Sequence, residues 1–322
     1  MKRTRAVPGQ FSFLVCVLLF WCALAAAQHP QPSNAGTSQT QEPTFRVNVR
    51  LVNVFTTVTD SHGAPVANLT RDDFRVLEDG VPQKISVFDR ESELPLSIAL
   101  EVDTSPSTER DFKLEVISAK KFVRSILRPV DQLSVFQVTE YVEQLAPFTS
   151  SMKTIERGID ALKVGPGTSI YDAIFLGSEA LIDRHGRKVL VLITDGGDTT
   201  SKSDYSAALR RAQQAEAIVY SIIVVPVEAD AGRNLGGEHA LIQISRDTGG
   251  KYYYARDIGQ LDEAFHQISE ELRTQYLIAY YPSRQLSDSP FRRIKVDVSR
   301  KDSDGQPYQV RHRAGYYTSP AR

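Results

Sequence analysis

The chain has 322 residues, of which 41% are hydrophobic and 24% charged, a composition typical of a globular protein with room for two domains. The formal net charge at pH 7 is -1. A protein that binds nucleic acid through a broad surface normally carries a strong basic excess, so the charge argues against that class of function.

Residues 1–27 are predicted to be a signal peptide. Basic residues precede the apolar run "FSFLVCVLLFWCALAAA", and Ala25 and Ala27 fit a small-x-small cleavage pattern. The run is shorter than the ~20 residues that a membrane span needs. A retained membrane anchor is the alternative. Cleavage would remove both cysteines and give a secreted or periplasmic chain without a stable membrane span or disulfides, so that its stability would come from its core.

Two segments of different character follow the signal peptide. Residues 28–43 are rich in Pro, Gln and Ser, and this composition predicts a disordered linker. In residues 44–92, apolar and polar side chains alternate along "FRVNVRLVNVFTTVTD", and a turn at Asp79 and Gly80 separates two further strand-like runs. We therefore expect an N-terminal β segment there.

Residues 93–272 alternate apolar strand patterns with amphipathic helix patterns, beginning with the strand at 96–102 and ending with a helix at 258–272. This alternation predicts an α/β fold in which helices cover both faces of a doubly wound, mostly parallel sheet. Strand patterns return in residues 273–322. We expect this C-terminal β segment to pair with residues 44–92 in a small β-sandwich, with the α/β domain inserted between them.

Ligands of open α/β sheets bind beyond the carboxyl ends of the strands, so the residues found there are candidates for the site. The strand at 96–102 is followed by Asp103, Ser105 and Ser107, and the strand at 188–194 by Asp195. Thr168 lies in a Gly-rich loop before a helix. All five side chains offer oxygen atoms, a set that favours a hard cation such as Mg²⁺, Mn²⁺ or Ca²⁺.

These motifs resemble the metal-ion-dependent adhesion site of von Willebrand factor type A domains. The string Asp103-x-Ser105-x-Ser107, Thr168 in "GPGTS" and Asp195 in "LITDGG" carry the resemblance, which covers residues 93–272. The flanking β segments are similar to those of a bacterial group of secreted proteins often called VWFA-related.

The resemblance implies a role for each residue of the site. Ser105 and Ser107 would bind the ion directly, and Thr168 would bind it directly or through water. Asp103 and Asp195 would supply charge and orient waters. One position of the ion stays open for a carboxylate of the partner protein.

The segments around the motifs hold three further residues of interest. Pro106 separates the two serines and fixes the backbone there. Asp198 is interpreted as a loop residue or as the N-cap of the next helix, the alternative being a contact with the site. Asp172 is expected in the first turn of its helix, where the helix dipole favours a carboxylate.

We therefore predict an exported, metal-dependent protein-binding module whose partner presents an Asp or Glu side chain. Enzyme motifs such as a G-x-S-x-G elbow, H-E-x-x-H or a P-loop do not occur in the sequence, so the chain is not expected to be an enzyme. Two alternatives stay open. One is a structural scaffold of an envelope assembly in which the metal is incidental, and the other is an unrecognised hydrolase.

Overall fold

The computed structural model describes residues 51–90, 93–105, 112–225, 234–284 and 289–318. The chain divides into two units, Met1–Val47 and Asn48–Arg322, and all described residues belong to the second. The predicted signal peptide, the predicted linker and the start of the N-terminal β segment lie outside the described residues, as do Pro106 and Ser107.

The elements of the second unit follow the order that the sequence predicts, with strands at both ends and alternating strands and helices between them. The strands are β1 (Val52–Thr59), β2 (Phe74–Glu78), β3 (Val81–Gln83), β4 (Ile85–Arg90), β5 (Leu96–Asp103), β6 (Gln132–Val138), β7 (Val142–Thr149), β8 (Arg187–Thr194), β9 (Ala217–Val224), β10 (Tyr252–Ala255), β11 (Tyr276–Tyr280), β12 (Phe291–Val298), β13 (Gln309–Arg311) and β14 (Gly315–Tyr317). The helices are α1 (Phe112–Ile126), α2 (Met152–Asp160), α3 (Ile170–Leu181), α4 (Tyr205–Ala215), α5 (Leu235–Thr248) and α6 (Ile258–Thr274).

A six-stranded sheet with the order β10-β9-β8-β5-β6-β7 forms the centre of the second unit. Its strands are parallel except β7, which pairs antiparallel with β6. All eight residues of β5 are buried, as expected for a central strand covered on both faces. The sequence does not predict the strand β7, because this edge strand carries exposed polar side chains and lacks a continuous apolar run.

Helices cover both faces of this sheet, and each face has its own core. On one face, Phe122 of α1, Ile155 of α2 and Phe265 of α6 pack against the strands. On the other face, the packing comes from α3, α4 and α5, with Ile174 and Leu241 among the buried residues. The two cores exclude water from the central strands, which removes most of their apolar surface from solvent.

Two four-stranded antiparallel sheets flank the α/β part, with the orders β13-β1-β11-β4 and β14-β12-β2-β3. Each sheet combines strands from before and after the α/β part, since β1 and β4 both pair with β11, and β2 pairs with β12. Buried residues of both sheets, such as Val54, Phe74 and Ile278, form one shared core. The predicted fold class, α/β with a mostly parallel sheet and flanking β-strands, is confirmed. Within the described ranges, no helix is long and apolar enough to cross a membrane.

Candidate functional site

The predicted site begins where the neighbouring parallel strands β5 and β8 end. Their register aligns Val102 with Ile193, so the next residues, Asp103 and Thr194, come side by side at the carboxyl edge. The Thr194 hydroxyl donates a hydrogen bond of 2.7 Å to Asp103 Oδ2. Asp195 follows directly and is half-buried. The register of two apolar strands therefore brings Asp103 beside the turn that carries Asp195.

The first turn after β5 folds back onto Asp103. The backbone N–H of Ser105 donates to Asp103 Oδ1 at 2.9 Å, and both residues are buried. With one oxygen bonded to Ser105 and the other to Thr194, the carboxylate of Asp103 connects the ends of two strands. Ser107, the third residue of the predicted motif, lies outside the described residues, so the structure gives it no position.

Asp195 lies on a turn that a glycine makes possible. Gly196 has φ of +87°, a backbone conformation that side chains other than glycine rarely adopt. Its N–H donates to the Thr194 hydroxyl at 3.1 Å, and the N–H of Gly197 donates to Asp195 Oδ1 at 3.0 Å. The direction in which β8 presents Asp195 is thus fixed by backbone groups of the two following residues.

Thr168 is buried in the loop before α3 and is tied to both neighbouring loops. Its carbonyl accepts hydrogen bonds from the N–H groups of Thr199 and Thr200, at 2.9 and 3.1 Å. Three residues earlier, the N–H of Gly165 donates to the Thr104 carbonyl at 3.0 Å. These contacts connect the Thr168 loop with the loops that follow Asp103 and Asp195.

Asp103 sits in an electrostatic environment that disfavours its own negative charge. Burial raises its pKa to about 6, and the nearby carboxylate of Asp195 acts in the same direction. Hydrogen bonds from Thr194 and Ser105 oppose the rise only in part. Two neighbouring carboxylates, one buried on Asp103 and one half-buried on Asp195, repel each other and gain from a cation placed between them, so this donor set suits a positive ion.

The chemistry of the donors fits a hard cation such as Mg²⁺, because the predicted residues offer carboxylate and hydroxyl oxygens. No cluster of three or more His, Cys, Asp or Glu side chains suited to a metal ion exists in the described parts of the chain. The predicted set holds only two carboxylates and relies on hydroxyls for the rest. It is therefore a different kind of site from a cage of acidic side chains.

Asp198 and Asp172 connect loops to the start of α3. Asp198 Oδ1 accepts from the N–H of Ile170 at 2.8 Å, so it caps α3. The sequence suggested a cap of the next helix, α4, but Asp204 has that role and accepts from the N–H of Ala207 at 2.8 Å. Asp172 lies in the first turn of α3, as predicted, and accepts hydrogen bonds from two backbone N–H groups of the 196–203 loop.

Two threonines for which the sequence predicts no role in the site support it. Thr194 donates to Asp103, and Thr199 Oγ1 accepts from the N–H of Thr168 at 2.9 Å. Thr194 stands at the end of an apolar strand beside the predicted Asp195, and this position is the one signal that could have identified it. The role of Thr199 depends on loop conformation, for which the sequence carries no comparable signal.

Comparison with known proteins gives a match to one family. The profile of the von Willebrand factor type A domain matches residues 97–267, more than half of the chain. A comparison with curated proteins gave no match.

Several solved structures are similar to the chain at low identity. A von Willebrand factor type A protein from Catenulispora acidiphila is 11% identical, with a TM-score of 0.49 over 76% of this chain and 73% of that one. An aerotolerance-related membrane protein from Bacteroides fragilis NCTC 9343 is 18% identical, with a TM-score of 0.43 over 55% of this chain and 98% of that one. The vWF domain of the type V pili tip protein Mfa5 from Porphyromonas gingivalis is 12% identical, with a TM-score of 0.46 over 55% and 94%. Identities this low carry no information about what this chain binds.

Proposed function

Since this chain belongs to the von Willebrand factor type A domain family, we propose that it is an exported module that binds a protein partner through a divalent cation. Ser105 and Ser107 are the proposed direct ligands of the ion, with Thr168 as a ligand that binds directly or through water. Asp103 and Asp195 supply negative charge and orient waters. Mg²⁺ is the proposed ion, with Mn²⁺ and Ca²⁺ as the alternatives of the same chemistry.

The main support for this proposal is the contact of Asp103 with Thr194 and Ser105 at the end of β5. That contact holds a buried carboxylate beside a second one on Asp195, in a setting where burial and mutual repulsion raise the pKa of Asp103. A fold that keeps two such carboxylates together gains stability when a cation binds between them.

A divalent cation held by few carboxylates retains net positive charge and offers a position to a carboxylate of the partner. The chain's own contribution is geometric. Asp103 fixes the turn after β5, and the turn at Gly196 orients Asp195. The backbone hydrogen bonds of the Thr168 loop connect it with the loops at the same edge of the sheet. We therefore propose that the partner presents an Asp or Glu, and that the loops at 165–171 and 196–203 decide which partner fits.

We propose binding rather than catalysis, in a secreted or periplasmic location. The support is the family and the hydroxyl-rich donor set at the ends of β5 and β8. Detection of turnover by the purified chain on a defined substrate would contradict the binding proposal.

The experiment is a capture assay with the purified chain and an envelope extract, with Mg²⁺ and with EDTA. We expect one or more proteins to be retained with Mg²⁺, released by EDTA and retained again after Mg²⁺ is restored. Ser105→Ala should abolish retention. Ser151→Ala, a matched change at the N-cap of α2, should not. Retention that is indifferent to EDTA and to Ser105→Ala would favour the scaffold alternative instead.

A further inference from the structure

The first turn of α3 is capped by a residue from another part of the chain. Ser169 occupies the N-cap position of α3, but its side chain makes no capping hydrogen bond. Its hydroxyl instead donates to the Glu140 carbonyl at 2.8 Å and contacts Thr200 Oγ1 at 2.8 Å. The N–H of Ile170 is satisfied by Asp198 Oδ1, 28 residues further along the chain.

Asp198 is held in this position by its own loop. The Ser201 hydroxyl donates to Asp198 Oδ1 at 2.5 Å, so the same carboxylate oxygen bonds both the helix and the loop. The Ser201 hydroxyl also accepts from the N–H of Asp172 at 3.1 Å. The carboxylate therefore joins the start of α3 to the loop that follows Asp195.

The residues next to Asp198 hold the backbone of Thr168 on both sides. The N–H of Thr168 donates to Thr199 Oγ1 at 2.9 Å, and the Thr168 carbonyl accepts from the N–H groups of Thr199 and Thr200. Thr168 thus lies two residues before α3, the helix that Asp198 caps. It also pairs with Thr199 and Thr200, the two residues that follow Asp198. Movement of the Asp198 loop away from α3 would break these bonds and shift Thr168.

We propose that Asp198 is the positioning residue for Thr168, and that it fixes the distance between the loop of Thr168 and the turn of Asp195. This inference rests on the proposed function, because Thr168 and Asp195 are proposed ligands of the same cation. Asp198 accepts a hydrogen bond from the N-terminus of α3. It would strengthen cation binding indirectly, by holding Thr168 in position. Residues that hold metal ligands in place typically change metal affinity about 10- to 100-fold when they are replaced.

The test compares Mg²⁺ affinity by calorimetry in the full chain and in three variants. Asp198→Ala removes the acceptor, and we expect the affinity to fall about 10- to 100-fold. Asp198→Asn keeps an acceptor oxygen, and we expect affinity within about threefold of the unchanged chain because Asn caps helices about as well as Asp. Asp204→Ala removes the equivalent cap of α4 and should leave the affinity unchanged.

Amide hydrogen exchange in EDTA supplies a second measurement that does not involve the cation. We expect Asp198→Ala to speed exchange at Ile170, Thr199 and Thr200, and Asp204→Ala to leave these amides unchanged. If the unchanged chain takes up no Mg²⁺, the proposed function fails, and the exchange rates still decide whether Asp198 positions Thr168.

Three results would overturn the inference. The first is unchanged exchange at these amides in Asp198→Ala. The second is an Asp198→Asn variant as weak as Asp198→Ala, which would mean that the charge acts on the ion directly. The third is an equal loss of affinity in Asp204→Ala, which would assign the effect to general stability.

Discussion

At the scale of single residues, Asp103 combines a structural bond with a titratable charge. Its two oxygens connect Ser105 and Thr194, while burial keeps its pKa at about 6, well above the ordinary value of 3.8 for Asp. A carboxylate in this state is charged at neutral pH but loses its charge under mildly acidic conditions. The residue that fixes the turn is therefore also the one whose protonation would weaken a cation site.

This pKa predicts the pH dependence of cation binding. The cation needs the deprotonated carboxylate, so Mg²⁺ affinity should be constant above about pH 7 and should fall about tenfold per pH unit below pH 6. Calorimetric titrations at pH 7.5, 6 and 5 measure this directly. An affinity that stays constant down to pH 5 would show that Asp103 does not titrate in this range.

Glu101 is a second buried carboxyl group, two residues before Asp103 in β5. It is fully buried, and within the described residues neither oxygen has a hydrogen-bond partner. Its side chain packs against Gly177 of α3, where an added Cβ would lie 2.0 Å from Glu101 Oε1. Burial without a partner raises its pKa well above the ordinary value of 4.5. Burial of this carboxyl group therefore costs stability.

Replacement of Glu101 should raise the stability of the fold by an amount that depends on pH. Because the folded chain keeps the Glu101 proton to higher pH than the unfolded chain, the free energy of unfolding falls as pH rises above about 4.5. Glu101→Leu should remove this decline and stabilise the chain by about 1–3 kcal/mol at pH 8. Urea unfolding of both chains at pH 5 and pH 8 measures the difference. An equal change in the free energy of unfolding between pH 5 and pH 8 in both chains would contradict the prediction.

At the scale of elements, α6 connects the α/β part to the flanking sheets through Glu271. The hydroxyls of Thr57 in β1 and Tyr220 in β9 donate to Glu271 Oε1 at 3.1 and 2.7 Å. Arg311 of β13 forms an ion pair with Oε2 of the same carboxylate. One buried side chain therefore satisfies polar groups from three different strands.

This network predicts that Glu271→Ala destabilises the fold by about 3–5 kcal/mol, because Arg311 loses its ion pair and two buried hydroxyls lose their acceptor. The matched control is Glu156→Ala, which removes the exposed ion pair with Arg124 and should cost about 1 kcal/mol or less. Urea unfolding compares the two variants. A similarly small loss of unfolding free energy in both variants would show that water replaces the carboxylate of Glu271.

At the scale of the whole molecule, cation binding at one edge of the sheet should stabilise the entire second unit. A ligand that binds the folded state alone raises stability by about 2.7 kcal/mol at a concentration 100 times its Kd. We expect Mg²⁺ to raise the melting temperature of the unchanged chain and to leave that of Ser105→Ala unchanged. Thermal unfolding with Mg²⁺ and with EDTA tests this. An equal rise of the melting temperature in both chains would show that the ion binds at another site.

The amino-acid sequence by itself determined the fold class and the edge of the sheet at which the candidate residues lie. Apolar strands that alternate with amphipathic helices form a parallel sheet, and parallel strands end at a common edge, so Asp103 and Asp195 come together without knowledge of any contact. The position of the flanking strands before and after this pattern likewise indicated their pairing. Each of these conclusions depends on local periodicity, which a single sequence displays.

Only the tertiary structure decided which groups hold these residues in place. The bond from Thr194 to Asp103, the cap that Asp198 provides for α3 and the pairing of β7 join positions whose contact no local pattern encodes. Buried polar groups take whichever partner the packed loops bring within reach, and that choice depends on the whole fold. For the same reason the sequence gives no sign that Glu101, in a strand that otherwise looks apolar, has no hydrogen-bond partner among the described residues.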